Sequence, residues 1–133
     1  MANILVVEDE PALLKNLAAL LTKAGHTVLT AGDGSEVLKL LGLEGGTAGA
    51  IPEVIILDVM LPNVNGYQLL TRMHENPATK NMPVILLTGY TELRDAFQKF
   101  KNVSSFLHKP FEPKRLLNAL ADVLSTLRQQ AGG

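Results

Sequence analysis

Four short apolar runs, each followed at once by residues that can do chemistry, constrain this chain more than any other feature. Runs of this length suit strands buried on both faces, as in a parallel sheet covered by helices. The carboxyl ends of such strands share one edge of the sheet, where open α/β proteins bind ligands. The runs and their following residues are Ile4–Val7 with Glu8 and Asp9, Val54–Leu57 with Asp58, Val84–Leu87 with Thr88 and Gly89, and Ser105–His108 with Lys109 and Pro110. We therefore expect carboxylates, a hydroxyl and an ammonium to gather at one edge.

Helical patterns alternate with these runs. Pro11 suits a first helical turn, and leucines with helical periodicity follow it until Gly25, which suits a helix C-cap. The other predicted elements are a strand at Thr27–Thr30 and helices at Glu36–Leu41, after Gly66, around Leu93–Phe100 with Phe97 and Phe100 on one face, and from Pro113. Five βα units without an internal repeat predict an α/β fold, a doubly wound five-stranded parallel sheet with five helices. We expect one domain over residues 1–128 and a short C-terminal tail at 129–133.

Composition narrows the possible functions. A chain of 133 residues, 47% hydrophobic and 19% charged, is expected to fold as one domain with a substantial core. The formal charge of -1 gives no overall attraction to nucleic acid or to an anionic membrane. The absence of cysteine excludes disulfides and thiol catalysis. No apolar stretch approaches the ~18 residues of a membrane span, so we expect a cytoplasmic protein that binds neither membrane nor nucleic acid directly.

The residues at the predicted edge form a chemically consistent set. Glu8, Asp9 and Asp58 would repel one another and raise their own pKa values unless a cation shared the pocket. Carboxylate oxygens without nearby histidine or cysteine favour Mg²⁺, or Mn²⁺ in its place, over zinc. Thr88 and Lys109 can bind the anionic oxygens of a phosphoryl group. Together these residues predict a phosphoryl-transfer site, in which a carboxylate can act as nucleophile and form an aspartyl-phosphate.

The chain resembles the response-regulator receiver domains of two-component signalling over nearly its whole length. The pieces that carry the resemblance are Glu8-Asp9-Glu10-Pro11, Leu57-Asp58-Val59-Met60-Leu61-Pro62 with Gly66, Leu87-Thr88-Gly89, and Phe106 with Lys109-Pro110-Phe111. The resemblance implies a flavodoxin-like sheet with strand order 2-1-3-4-5. It also implies phosphorylation from a histidine kinase or a histidine phosphotransfer protein, and a change of surface that signals to a downstream protein.

The resemblance assigns the acceptor and the metal ligands. Asp58 would be the phosphoacceptor and would also contribute to the metal site. Asp9 would bind Mg²⁺ directly and Glu8 mostly through water, while Met60 would contribute its backbone carbonyl. A domain of this kind is a signalling domain and no ordinary enzyme, although it catalyses its own phosphorylation and slow self-dephosphorylation.

The resemblance also assigns the phosphoryl-binding and switch residues. Thr88 would bind a phosphoryl oxygen through its hydroxyl and Gly89 another through its amide. Lys109 would pair with the carboxylate at rest and with the phosphoryl group afterwards. Pro110 would follow a cis peptide bond, and Phe106 would swing inward when Thr88 moves toward the phosphate.

Three other functions compete with this interpretation. A phosphatase of the haloacid dehalogenase type uses an aspartyl nucleophile but needs a second carboxylate two residues later, where this chain has Met60. A flavin-binding module would offer a hydroxyl-rich phosphate loop after the first strand, where Glu8 and Asp9 would repel a phosphate. The third alternative, a receiver-like interaction module that is never phosphorylated, stays open at this stage.

Two departures from common receiver patterns bear on partners and on lifetime. Many receivers have a Gly-Ala pair before the fifth strand, where this chain has Asn102-Val103-Ser104-Ser105, so the choice of partner stays open. By the same resemblance, the residues two beyond Asp58 and two beyond Thr88 flank the approach of a hydrolytic water, and here they are Met60 and Tyr90. Neither suits the activation of water near neutral pH, so we expect a long-lived phosphorylated form.

Overall fold

The computed structural model describes residues 2–43, 51–61, 64–89 and 94–132, with backbone only for 130–132. The described residues form five strands and five helices that alternate along the chain. They are β1 (Asn3–Val7), α1 (Pro11–Lys23), β2 (Thr27–Ala31), α2 (Gly34–Leu40), β3 (Val54–Asp58), α3 (Gly66–His74), β4 (Val84–Thr88), α4 (Arg94–Phe97), β5 (Val103–His108) and α5 (Pro113–Gly132). The strands pair in parallel in the order β2-β1-β3-β4-β5. The predicted doubly wound α/β fold and its strand order are thus confirmed.

The sheet separates two apolar layers. Successive residues of a strand point to opposite faces, so Leu5 and Val7 pack in the layer of α2, α3 and α4, whereas Ile4 and Val6 pack in the layer of α1 and α5. All residues of β3 and β4 are buried. This double burial is the reason why the central strands read as continuous apolar runs.

Short-range capping starts the helices that follow the strands. Pro11 stands in the first turn of α1, as predicted, and Gly25 just past its end has φ +99°, a backbone conformation that suits glycine. Asp33 caps α2 by accepting a hydrogen bond from the amide of Glu36 (2.9 Å). A capping box between Asn65 and Gln68 starts α3. These caps fix the loops that leave the carboxyl edge of the sheet.

The fourth helix and the fifth strand differ from their predictions. The described part of α4 ends at Phe97, so Phe100 is buried from the turn beyond the helix and not from its face. That turn is closed by a hydrogen bond from the Phe100 amide to the Phe97 carbonyl (3.1 Å). β5 begins at Val103, and a register irregularity with β4 makes Ser104 an extra residue. Pro62, Tyr90 and the predicted start of the fourth helix lie outside the described residues.

The last helix is longer than the sequence pattern predicts. α5 extends to Gly132, so the residues from 129 to 132, predicted as a tail, are helical. Leu116, Leu120 and Leu124 bury its apolar face against the sheet. The placing of the domain boundary at 128 stays a prediction. Among the helices that the structure describes, none has both the length and the apolar character required to cross a bilayer.

A close approach between α2 and the loop after β3 gives a prediction about stability. A Cβ atom built on Gly34 would lie 2.1 Å from the carbonyl oxygen of Val64, whereas one on Gly32 meets nothing within 4 Å. We expect Gly34→Ala to lower the free energy of unfolding by about 1–3 kcal/mol, the usual cost of overpacking. The matched Gly32→Ala should be neutral or slightly stabilising. Urea unfolding of both variants checks this, and equal effects would contradict it.

Candidate functional site

Three carboxylates meet at the carboxyl edge of neighbouring strands. Glu8 and Asp9 follow β1, Asp58 is the last residue of β3, and β1 and β3 pair directly. One oxygen from each of these three side chains lies within 4.8 Å of the others. Glu8 and Asp58 are buried, with 1% and 5% of their surface exposed, whereas Asp9 is exposed. The sequence therefore predicted this cluster correctly, and the structure adds that its members differ sharply in their access to solvent.

Lys109 lies between the two buried carboxylates. Its ammonium donates to Oε1 of Glu8 (2.7 Å) and to Oδ2 of Asp58 (3.0 Å). The second oxygen of each carboxylate accepts from the backbone two residues further on. The Glu10 amide donates to Oε2 of Glu8, and the Met60 amide donates to Oδ1 of Asp58, both at 3.1 Å. Both oxygens of both buried carboxylates are thus hydrogen-bonded, as groups removed from water require.

The electrostatics of the site follow from this pairing. Burial alone would lower the pKa of Lys109, but hydrogen bonds to Glu8 and Asp58 and their negative charges outweigh it and raise the pKa above its ordinary value. Partial desolvation, followed by hydrogen bonding to Glu8 and repulsion from its charge, raises the pKa of Asp9. The shared cation that the crowded carboxylates require is present as Lys109. Asp9 is the carboxylate that remains short of positive charge.

The donor set fits a hard divalent cation. Carboxylate oxygens from Glu8, Asp9 and Asp58 converge without histidine or cysteine, which is the chemistry of a Mg²⁺ site. Asp9 faces solvent, whereas the oxygens of Glu8 are engaged by Lys109 and by the Glu10 amide. A cation could therefore reach Asp9 directly from solvent. Met60 is placed beside Asp58 by its amide, and the role of its carbonyl stays a prediction.

The remaining predicted site residues lie at the ends of β4 and β5. Thr88 is the buried last residue of β4, and Gly89 follows it in an exposed position. The carbonyl of Thr88 accepts from the Lys109 amide (2.7 Å), so the end of β4 is bound to the residue that contacts Asp58. The Lys109–Pro110 peptide bond is cis, the form that the resemblance implied. The phosphate-binding roles of Thr88, Gly89 and Lys109 stay predictions.

Sequence reasoning missed two features near the site. The bond between Glu8 and Lys109 joins the ends of β1 and β5, which are not neighbours in the sheet, and no local sequence pattern indicates it. The half-buried ring of Phe106 makes an edge contact with Phe97, at 6.2 Å between ring centroids, and the guanidinium of Arg94 lies 5.8 Å from its ring centre. The density of aromatic residues between positions 97 and 106 was the only signal that could have indicated this cluster.

Comparison with known proteins identifies the family. Residues 4–121 match the family model of the response regulator receiver domain. The chain belongs to this family. Protein PilH of Pseudomonas aeruginosa is 32% identical over 94% of this chain and 99% of its own length. A putative response regulator from Chloroflexus aurantiacus has a TM-score of 0.82 and 30% identity, over 93% of this chain and 98% of its own.

Longer proteins contain similar domains. Response regulator PleD of Caulobacter vibrioides is 34% identical over 97% of this chain, which spans 29% of the length of PleD. Receiver domains are signalling domains of two-component systems, they work with histidine kinases, and they generally use Mg²⁺. The family interpretation made from the sequence is thereby confirmed, and the acidic cluster is compatible with the metal that the family uses.

The unequal exposure of the acid pair gives a prediction about metal binding. Asp9→Ala and the isosteric Asp9→Asn remove a solvent-facing anionic ligand, so both should weaken Mg²⁺ binding far more than Glu8→Gln does. Glu8 is buried against Lys109, and its charge is already compensated. Mg²⁺ titrations followed through the amide resonance of Gly89 measure the affinities, with the remote Asp122→Asn as control. Equal losses for the Asp9 and Glu8 variants would overturn the ranking.

Proposed function

We propose that this chain accepts a phosphoryl group on Asp58 from the phosphohistidine of a histidine kinase or of a histidine phosphotransfer protein, with Mg²⁺, in the cytoplasm. The modification then changes the surface that a downstream protein binds. The observation that carries this proposal is the placement of Asp58, a buried carboxylate bonded to Lys109 and next to the acid pair. Membership of the receiver family supports it.

The transfer can be written with the groups at hand. A carboxylate oxygen of Asp58 attacks phosphorus, a P–O bond forms, the P–N bond of the donor breaks, and the imidazole nitrogen keeps the electron pair. The Met60 amide and the Lys109 ammonium orient the carboxylate before the attack. A bound Mg²⁺ would supply charge neutralisation between the carboxylates and the phosphoryl oxygens. Lys109, and by resemblance Thr88 and Gly89, would bind the oxygens of the product.

The same side chains argue against a phosphatase. Beyond the nucleophile, a hydrolase of the aspartyl class needs an acid at the position that Met60 occupies, and a thioether cannot transfer a proton. Lys109 is held protonated by two carboxylates, so it is a poor base for water. The site is thus suited to accept a phosphoryl group and to retain it.

The first test of the proposal is chemical phosphorylation. Acetyl phosphate with Mg²⁺ should add one phosphoryl group to the chain, because the attacking carboxylate is held in place within the chain itself. Intact-mass spectra recorded with and without EDTA measure this, and the labelled peptide should contain Asp58. Asp58→Asn should remain unlabelled.

A matched variant makes this test specific. Asp33→Asn changes a carboxylate that caps α2 and lies outside the acidic cluster, so it should be labelled like the parent. Labelling of Asp58→Asn at the level of the parent would show that the acceptor is wrongly assigned. A parent chain that stays unlabelled by acetyl phosphate and by a panel of phosphorylated kinases would favour an interaction module that is never phosphorylated.

The lifetime of the phosphorylated form depends on how well a water can be held in line behind phosphorus. Met60 is beside Asp58 with 56% of its surface exposed, and its flexible thioether can cover the approach without orienting water. Tyr90, outside the described residues, carries a phenol with a pKa near ~10, which is a poor base at neutral pH. Positioned acid–base assistance is worth on the order of 10²–10⁴ in rate. Because neither side chain supplies such assistance, we expect slow hydrolysis of the phosphoryl group on Asp58.

We therefore expect the phosphorylated parent to lose its phosphoryl group slowly and the double variant Met60→Asn, Tyr90→Glu to lose it markedly faster. An amide and a carboxylate at these positions could hold and polarise the water that the parent leaves unassisted. The measurement is the decay of the phosphorylated mass after removal of the donor, with each single variant as a control. If the parent decays as fast as the double variant, these two side chains do not set the lifetime.

A further inference from the structure

The methionines that the structure describes differ sharply in their exposure to solvent. Met73 of α3 has 0% of its surface exposed, and Met82, shortly before β4, has 7% exposed. Met60, two residues after Asp58, has 56% exposed. The chain contains four methionines, and the fourth, Met1, lies outside the described residues. A reagent in solution would therefore reach the thioether of Met60 far more readily than those of Met73 and Met82.

The backbone holds Met60 beside the candidate acceptor. The Met60 amide donates to Oδ1 of Asp58 at 3.1 Å. The residues on either side of Met60, Val59 and Leu61, are both buried in the layer of α2, α3 and α4. Met60 is thus the one residue of these three whose side chain leaves that layer for solvent. The exposed thioether and the carboxylate that would receive a phosphoryl group therefore belong to two residues that are joined by a hydrogen bond.

An exposed thioether reacts with peroxides. A lone pair of the sulfur attacks one oxygen of hydrogen peroxide, so an S–O bond forms and the O–O bond breaks. The departing hydroxide takes up the proton that the transferred oxygen loses and leaves as water. The sulfur is oxidised by two electrons to the sulfoxide, and the peroxide is reduced to water. The product has a polar side chain in place of an apolar one, and methionine sulfoxide reductases reverse the change.

We propose that Met60 is a peroxide-sensitive modification site and that its oxidation shortens the lifetime of a phosphoryl group on Asp58. The inference rests on the proposed phosphorylation of Asp58, and it adds a form of regulation to that same site. The thioether of the unmodified chain is only a weak hydrogen-bond acceptor, so it can cover the approach to phosphorus without orienting water. The oxygen of the sulfoxide is a stronger acceptor and can orient that water by a hydrogen bond.

The expected effect on hydrolysis is that of one added hydrogen bond to the attacking water. A sulfoxide can orient this water, but it cannot remove its proton at neutral pH, so general base assistance is not gained. We therefore expect the phosphoryl group on Asp58 to be lost about two- to tenfold faster after oxidation of Met60. Oxidation changes the side chain and leaves the backbone of Met60 intact, so the affinity for Mg²⁺ should stay the same.

The first measurement locates the oxidation. The whole chain is treated with dilute hydrogen peroxide, and peptide mass mapping follows the gain of one oxygen at each methionine with time. Met60 should be oxidised much faster than the buried Met73 and Met82. The mapping scores Met1 separately, so that residue does not enter the comparison. Oxidation of Met73 or Met82 as fast as that of Met60 would overturn the assignment of the site.

The second measurement is the lifetime of the phosphorylated form. The briefly oxidised chain is freed of peroxide with catalase and phosphorylated with acetyl phosphate at saturating Mg²⁺, and the decay of the phosphorylated mass is followed after removal of the donor. The oxidised parent should decay about two- to tenfold faster than the untreated parent. Met60→Leu keeps an apolar side chain without sulfur, so its decay should not respond to peroxide. Met60→Gln is polar without oxidation and should decay faster than Met60→Leu.

Each contrary outcome has a distinct meaning. If the oxidised parent decays at the rate of the untreated parent or more slowly, the effect of oxidation is wrong while the acceptor assignment stands. If peroxide accelerates the decay of Met60→Leu as much as that of the parent, another group is responsible and the role of Met60 is wrong. Treatment of the oxidised parent with a methionine sulfoxide reductase should restore the slow decay, and a rate that stays fast would also contradict the inference. If acetyl phosphate does not label the untreated parent, the proposed function fails, and the effect on lifetime fails with it.

Discussion

The ammonium of Lys109, bonded to Glu8 and Asp58 together, is the interaction on which the rest of the site depends. Two carboxylates with 1% and 5% exposure need a cation close by, because burying an unpaired charge is energetically costly. Lys109 supplies that charge from just beyond the end of β5, a strand that pairs with neither β1 nor β3. The positions of β1, β3 and β5 are therefore linked through one side chain as well as through the sheet.

The three acids differ in their hydrogen-bond partners and in their exposure to solvent. Glu8 is saturated by Lys109 and by the Glu10 amide, and Asp58 is oriented by Lys109 and by the Met60 amide. Only Asp9 among the three faces solvent, and its raised pKa reflects desolvation and the nearby charge of Glu8. A divalent cation would therefore relieve the one repulsion that Lys109 leaves in place. The ammonium and a bound divalent cation would thus neutralise different carboxylates of the cluster.

Much of the fold could be predicted because strands buried on both faces appear in the sequence as continuous apolar runs, such as Val54–Leu57. The site could be predicted for the same reason, since residues that follow such strands must share an edge. Contacts between distant segments produce no comparable local pattern in the sequence. Periodicity placed Phe100 on a helix because burial alone cannot distinguish a helical face from a tight turn. The extra residue Ser104 and the bond between Glu8 and Lys109 likewise depend on tertiary pairing.

The sheet also limits which residues a structural change at Asp58 can affect. Leu57 packs in the layer of α2, α3 and α4, together with Val59, Phe97 and, at its margin, Phe106. The neighbouring Ile56 points to the other face, into the layer of α1 and α5. Because each layer is closely packed and the sheet lies between them, a rearrangement that starts at Leu57 or Val59 would have to be accommodated within its own layer. The surface of α3 and α4, where Tyr67 is exposed, is therefore the face that such a rearrangement would alter first.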